Sequence, residues 1–133
     1  MGYALEFDAT NKILRVSVTG QVTDEILLDT YAAVASYVLA HGPCRAVTDV
    51  SGVTKSKVSS AAIRSLARSE PAIPMGYVRV MVVPQDYMYG MMRMFQILSE
   101  LTRPDFQVVR TLDEAYRLLK VEAPQFGPIE APE

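Results

Sequence analysis

The stretch that decides the fold is Tyr77–Leu101, YVRVMVVPQDYMYGMMRMFQILSEL. Its first part, Tyr77 to Val83, is a near-continuous apolar run ended by Pro84. That pattern predicts a strand buried on both faces. Asp86 stands where a helix cap belongs, and Tyr87 to Leu101 predicts a helix. At about 100° per residue, Met88, Met91, Met92, Phe95 and Leu98 form one stripe. Gly90, Met94, Ile97 and Leu101 form a neighbouring one, leaving the remaining face to Arg93, Gln96 and Glu100. The two stripes span about 220° of arc, about twice what a helix lying on a sheet needs.

The same alternation extends outward in both directions. Upstream, Tyr3 to Phe7 and Lys12 to Thr19 alternate apolar and polar around Asp8-Ala9-Thr10-Asn11, which has turn chemistry, so a hairpin is predicted. Gly20 is read as the end of its second strand. Thr23 caps a helix with Asp24 and Glu25 in its first turn, which Gly42-Pro43 stops. Cys44 to Val50 predicts a short strand ending at Asp49, and Val58 to Ser69 a helix with Ala62, Ile63 and Leu66 inward. Downstream, Phe106 to Arg110 predicts a last strand, and Thr111-Leu112-Asp113-Glu114 a capping box opening a last helix. The order is β-β-α-β-α-β-α-β-α. Strands alternating with helices imply an α/β fold whose sheet is partly parallel.

At 133 residues the chain is sized for one domain, here residues 1–120, followed by an acidic, proline-rich tail over residues 121–133. The tail carries Glu122, Glu130 and Glu133 and no basic residue, and Phe126 and Ile129 are its candidates for docking on the body. The net charge is −2, from 13 basic and 15 acidic residues, so residues 1–120 are nearly neutral. That balance argues against nucleic acid as a partner, because such affinity grows with the phosphates neutralised. One histidine and one cysteine exclude both an internal disulfide and a Cys/His zinc site, so no metal or cofactor is expected. No apolar run is long enough for a membrane span, and the N-terminus lacks a signal pattern, which makes a cytoplasmic protein the expectation.

Several local motifs resemble one family. Asp49-Val50-Ser51-Gly52-Val53-Thr54 resembles the strand end that precedes the regulatory serine loop of STAS domains, the SpoIIAA-like family of anti-sigma-factor antagonists. Val82-Val83-Pro84, Tyr89-Gly90-Met91-Met92-Arg93-Met94-Phe95 and Val109-Arg110-Thr111-Leu112-Asp113-Glu114-Ala115 look closer to the divergent SpoIIAA-like bacterial group, often placed beside CRAL-TRIO-type lipid-binding domains. The resemblance spans roughly residues 3–120. It implies a mixed sheet with helices mainly on one face and a role in binding or switching. In antagonists a serine at the start of the second helix, within Asp-Ser-Ser-Gly, is phosphorylated. Here that region reads Lys57-Val58-Ser59-Ser60-Ala61, which makes Ser59, then Ser56, the carried-over positions.

Each candidate residue has a functional and a structural reading. Ser56, Ser59 and Ser60, beside Lys55 and Lys57 in a stretch free of acids, suit a phosphoacceptor or an anion site at a helix start. Ser59 equally suits a simple N-cap. Asp49, at the predicted strand end, is placed to meet a ligand or to cap its own turn. His41 has no nucleophile or orienting partner nearby in sequence and fits a helix C-terminus; Cys44 reads as a small apolar residue. The glycines never cluster into a phosphate loop, and neither Gly-x-Ser-x-Gly nor His-Glu-x-x-His occurs, so the chain is not expected to be an enzyme.

That leaves the methionine-rich helix. Met88, Met91, Met94, Ile97 and Leu101 offer more apolar surface than one small domain covers, and thioether chains repack easily. The leading expectation is a non-catalytic module that binds a protein partner, self-associating as a homo-oligomer through this helix. The alternatives are a carrier or sensor of a small apolar or lipid-like molecule, with an acidic head group near Lys55 and Lys57, and a phospho-regulated antagonist.

Overall fold

The computed structural model describes residues 2–129. The hairpin forms from β1 (Tyr3–Asp8) and β2 (Ile13–Thr23), and places Leu5 opposite Val16 and Phe7 opposite Leu14. Its turn is built by Asp8, whose Oδ1 accepts from Thr10 N and Asn11 N at 3.0 Å each and whose Oδ2 accepts from Asn11 Nδ2 at 2.8 Å. There follow α1 (Asp24–His41), β3 (Arg45–Lys57), α2 (Ser60–Arg68), β4 (Arg79–Val82), α3 (Asp86–Leu98), β5 (Phe106–Val109), α4 (Leu112–Leu119) and the two-residue β6 (Gly127–Pro128). Three caps form where their side-chain chemistry predicts. Thr23, Ser59 and Thr111 accept from Ile26 N, Ala62 N and Glu114 N.

The sheet order is β5-β4-β3-β2-β1-β6, parallel from β2 to β5 and antiparallel from β2 to β6. Helices α1, α2 and α3 cover one face over the larger core, which includes Leu14, Val16, Ile63 and Phe95. Helix α4 covers the other face alone, over Ile13, Val47, Val80 and Val82. Alternation along each strand divides the two cores: Leu14 faces one and Ile13 the other.

Two strands outrun their predicted ends. Gly20, read as a terminator, sits instead at a register shift with φ +74°, and β2 continues through buried Val22 to Thr23. Strand β3 continues from Asp49 to Lys57, paired with β2 from Thr19↔Gly52 to Thr23↔Lys57. The backbones approach closely there: a Cβ on Gly52 would stand 2.8 Å from Thr19 Cγ2. Strand β4 pairs with β3 only as far as Asp49↔Val82, so this extension is two strands wide. Gln85 bridges to its open edge, donating from Nε2 to the carbonyls of Val50 at 2.9 Å and Val53 at 3.0 Å. At the other end of α3, the helix stops at Leu98, three residues short of the predicted Leu101. Ser99 turns back there, its N and Oγ both donating to the Phe95 carbonyl. Asp86 lies inside the first turn, paired with Arg110 at 2.5 Å, and Gln85 holds the cap position.

The segment after α4 folds back onto β1. Gly127 pairs with Phe7, Gln125 N donates to Asp8 Oδ2 at 3.1 Å, and Phe126 lies 4.3 Å from the Arg15 guanidinium. Ile129 packs on the larger core. Glu130 and Glu133, counted with the acidic tail, lie outside the described residues.

Asp8 therefore joins turn and tail, and it is 2% exposed. The Asn11 side chain, then Asn11 N, hold its pKa below the ordinary 3.8; burial opposes them, and Gln125 N and Thr10 N add to the lowering. A carboxylate with a lowered folded pKa stabilises the fold above its unfolded pKa and loses that contribution as pH falls below it. Asp8→Asn places an amide donor among N–H donors. It is expected to lower unfolding free energy by about 2 kcal/mol at neutral pH. In urea titrations, the gap between the two proteins should narrow as pH drops below 3.8.

Candidate functional site

Between the sheet and helices α1–α3 lies an apolar cavity of about 110 Å³. Its floor includes Val18 of β2 and, on the two-stranded extension of β2 and β3, Val22 and Val53. Its wall on the α3 side is Met88, Met91 and Met92. Leu27 and Tyr31 of α1 and Ile63 of α2 line it as well. An apolar cavity of about 150 Å³ in one engineered protein takes up benzene-sized molecules, so a volume of this order suits a small ligand.

The cavity has one charged lining residue, Arg79 of β4, and no acid. Strand alternation aims Arg79 and Met81 at this face and sends Val80 and Val82 to the α4 side. The other arginines that are not exposed all have partners. Arg15 pairs with Glu6 at 2.7 Å, and Arg110 with Asp86. Arg45 donates to the Leu119 and Asn11 carbonyls. Arg103 donates to the carbonyls of Ala67 and Leu66 at 3.2 Å and of Ser69 at 3.3 Å, tying off the end of α2. Among the described residues, the Arg79 guanidinium has no hydrogen bond and no ion pair; its recorded contact is the Phe106 ring at 5.7 Å. Burial, and secondarily the Arg103 charge, push its pKa down to about 10, against an upward pull from Tyr31. It is a cation at neutral pH.

The structure separates the apolar candidates Met88, Met91, Met94, Ile97 and Leu101 into three places. Met88 and Met91 line the cavity, with Met88 7% exposed. Met94 is half-buried against the larger core. Ile97, at 63% exposure, and Leu101, at 93%, lie on the outside, joined by Leu98, although Leu98 shares a stripe with the buried Met88, Met92 and Phe95. Leu101 lies beyond the end of α3 rather than on it. Asp49 is within β3, not at its end, and its Oδ1 accepts from Ser51 N at 2.9 Å, a turn-capping contact. Ser56 lines the cavity, accepting from Val58 N, whereas Lys55 and Lys57 are exposed and do not line it. Ser60 is exposed at the first turn of α2.

Ser59 is held by Asp24. Its N donates to Asp24 Oδ1 at 2.7 Å and its Oγ donates to Oδ2 at 2.8 Å, while Oγ also caps α2. The acid sits at the start of α1, so the stretch free of acids in sequence is not free of them in space. Cys44 is buried, which pushes its thiol pKa up, and the His41 ring lies 4.5 Å from that of Tyr37 at the end of α1.

Arg79 is the site residue that the sequence reading passed over. The signal was present: a charge in the middle of a run otherwise read as buried on both faces.

The chain is similar over 88% of its length to 91% of an uncharacterized protein of the DUF3478 family from Shewanella loihica PV-4, described as having a SpoIIAA-like fold, with a TM-score of 0.56 and 12% identity. This chain has a SpoIIAA-like fold. No protein-family profile and no curated protein matches its sequence. Among the described residues of this SpoIIAA-like domain, no helix is long and apolar enough to cross a membrane.

The Ser59–Asp24 contact yields a stability test. Ser59→Ala is expected to cost about 1 kcal/mol, the usual loss of an N-cap. Aspartate caps helices as well as serine does, so the cap itself survives Ser59→Asp. Repulsion from Asp24 should nevertheless make Ser59→Asp the less stable of the two by thermal denaturation, and adding Asp24→Asn to Ser59→Asp should recover the stability lost to that repulsion.

Proposed function

We propose that this domain is a non-catalytic binding module whose site is the cavity beneath α3, and that it takes up a small molecule with an apolar body. The observation that carries this reading is the void itself. A core of this size packs with few gaps larger than a water molecule. Here about 110 Å³ stays open beside methionines, the side chains best able to move aside and repack. The SpoIIAA-like fold is compatible with the reading without specifying it. Filling the void tests it. Val53→Phe should abolish calorimetric binding of 1-octanol while holding or raising the thermal midpoint. Leu27→Phe, which narrows the same cavity from α1, should act in parallel. Full 1-octanol affinity in both folded variants would place binding elsewhere.

A second reading has its own observation. Ile97, Leu98 and Leu101 form an exposed apolar patch at the end of α3, outside the cavity. Such a patch favours a protein partner, with a second copy of the chain the simplest. The wild type is then expected to sediment as a dimer, and an Ile97→Asp/Leu101→Asp variant as a folded monomer. A monomeric wild type at high micromolar concentration would remove self-association.

A further inference from the structure

We propose that the occupant of the cavity is an amphipathic anion with a single carboxylate-class head group, and that Arg79 is the side chain that receives it. The proposal rests on the cavity being a ligand site and adds the chemistry of the ligand. A guanidinium carries five N–H donors in a planar fork, so one that is half-shielded from water and has no protein acceptor is ready to receive an anion. Arg79 is half-buried at the start of β4, between Ala46 and Phe106 of the neighbouring strands. It lines both the large cavity and a small neighbouring one of about 10 Å³. Among the described residues, the lining of neither forms a hydrogen bond or ion pair with the guanidinium. Asp105, which lines the small cavity, accepts from Gly76 N at 2.8 Å and forms no ion pair with Arg79. The other nearby guanidinium, Arg103, is of the same sign and is occupied by three carbonyls.

The surroundings define the rest of the ligand. Around Arg79 the lining is almost wholly apolar. Two of its four hydroxyls donate to the backbone: Tyr31 to the Glu70 carbonyl, and Thr30 to the Ile26 carbonyl at 2.7 Å. A neutral hydrocarbon would leave the Arg79 donors unmet. A strongly hydrated dianion or a sugar would bring polar groups against valines and methionines. One charged head and an apolar body satisfy both parts of the site, and the bidentate match of guanidinium to carboxylate favours the planar anion. Volume limits the body to a short alkyl chain or a single ring unless the α3 methionines move.

The test compares octanoate with 1-octanol by titration calorimetry on wild type, Arg79→Met and Arg79→Lys. Wild type should bind octanoate about tenfold or more tightly than 1-octanol, the scale of a charge-assisted hydrogen bond in a shielded site. Arg79→Met should lose that preference and keep its affinity for 1-octanol, which also shows that it is folded. Arg79→Lys should keep part of the preference, because charge survives and the fork does not. Equal binding of the two probes by wild type, or an octanoate preference that persists in Arg79→Met, overturns the proposal and leaves the cavity reading intact. Failure of wild type to bind either probe overturns both.

Discussion

The cavity depends on one mismatch of lengths: β2 and β3 stay paired for several residues after β4 has stopped. Up to Asp49 the sheet has a neighbour on each side of β3. Beyond it, the inward residues Val22 and Val53 lie on a ribbon only two strands wide. Helices α1, α2 and α3 still span that end, but the sheet beneath them no longer supplies a full row of side chains. A gap in the packed layer follows from geometry, and it opens where α3 presents its methionines. Gln85 makes the extension tolerable. Without its two bonds, the carbonyls of Val50 and Val53 would face the interior unpaired.

Much of this was legible in the sequence, because local chemistry and tertiary structure agree. Thr23, Ser59 and Thr111 cap the helices that their positions announce, and Asp8 to Asn11 turn the hairpin. The errors fall where a long-range partner decides. Gly20 looks like a terminator because glycine ends strands, yet here it absorbs a register shift so that β2 can follow β3. Residues 51–57 look like a loop because most are exposed and polar, and they are a strand because β2 runs beside them. Leu101 falls on the predicted stripe by arithmetic, but the helix has already ended in the Ser99 turn.

The site divides in the same way. That the α3 stripes exceed what the fold covers was visible, and the structure resolves the excess into two surfaces: Met88 and Met91 toward the void, Ile97 and Leu101 toward the outside. The head-group position was not visible. Lys55 and Lys57 are conspicuous because they are near each other in sequence, but both are exposed and neither lines the cavity. Arg79 is inconspicuous because its neighbours are valines and a methionine, and its lack of a partner is a property of space.

Half-burial without a protein acceptor costs the Arg79 guanidinium part of its hydration. Desolvation is the leading cause of its lowered pKa, the sign that the charged form is held at a disadvantage. On the proposed reading that disadvantage is the source of specificity. A bound anion restores what folding removed from Arg79, so part of its binding free energy is relief of a penalty already present in the empty protein. A neutral molecule of the same shape recovers only the apolar share. The same ligand must also stabilise the fold by mass action, more strongly than its neutral analogue does at equal free concentration. Cavity and charge thus act on different terms: the missing third strand makes room for a body, and the missing counter-ion selects its head.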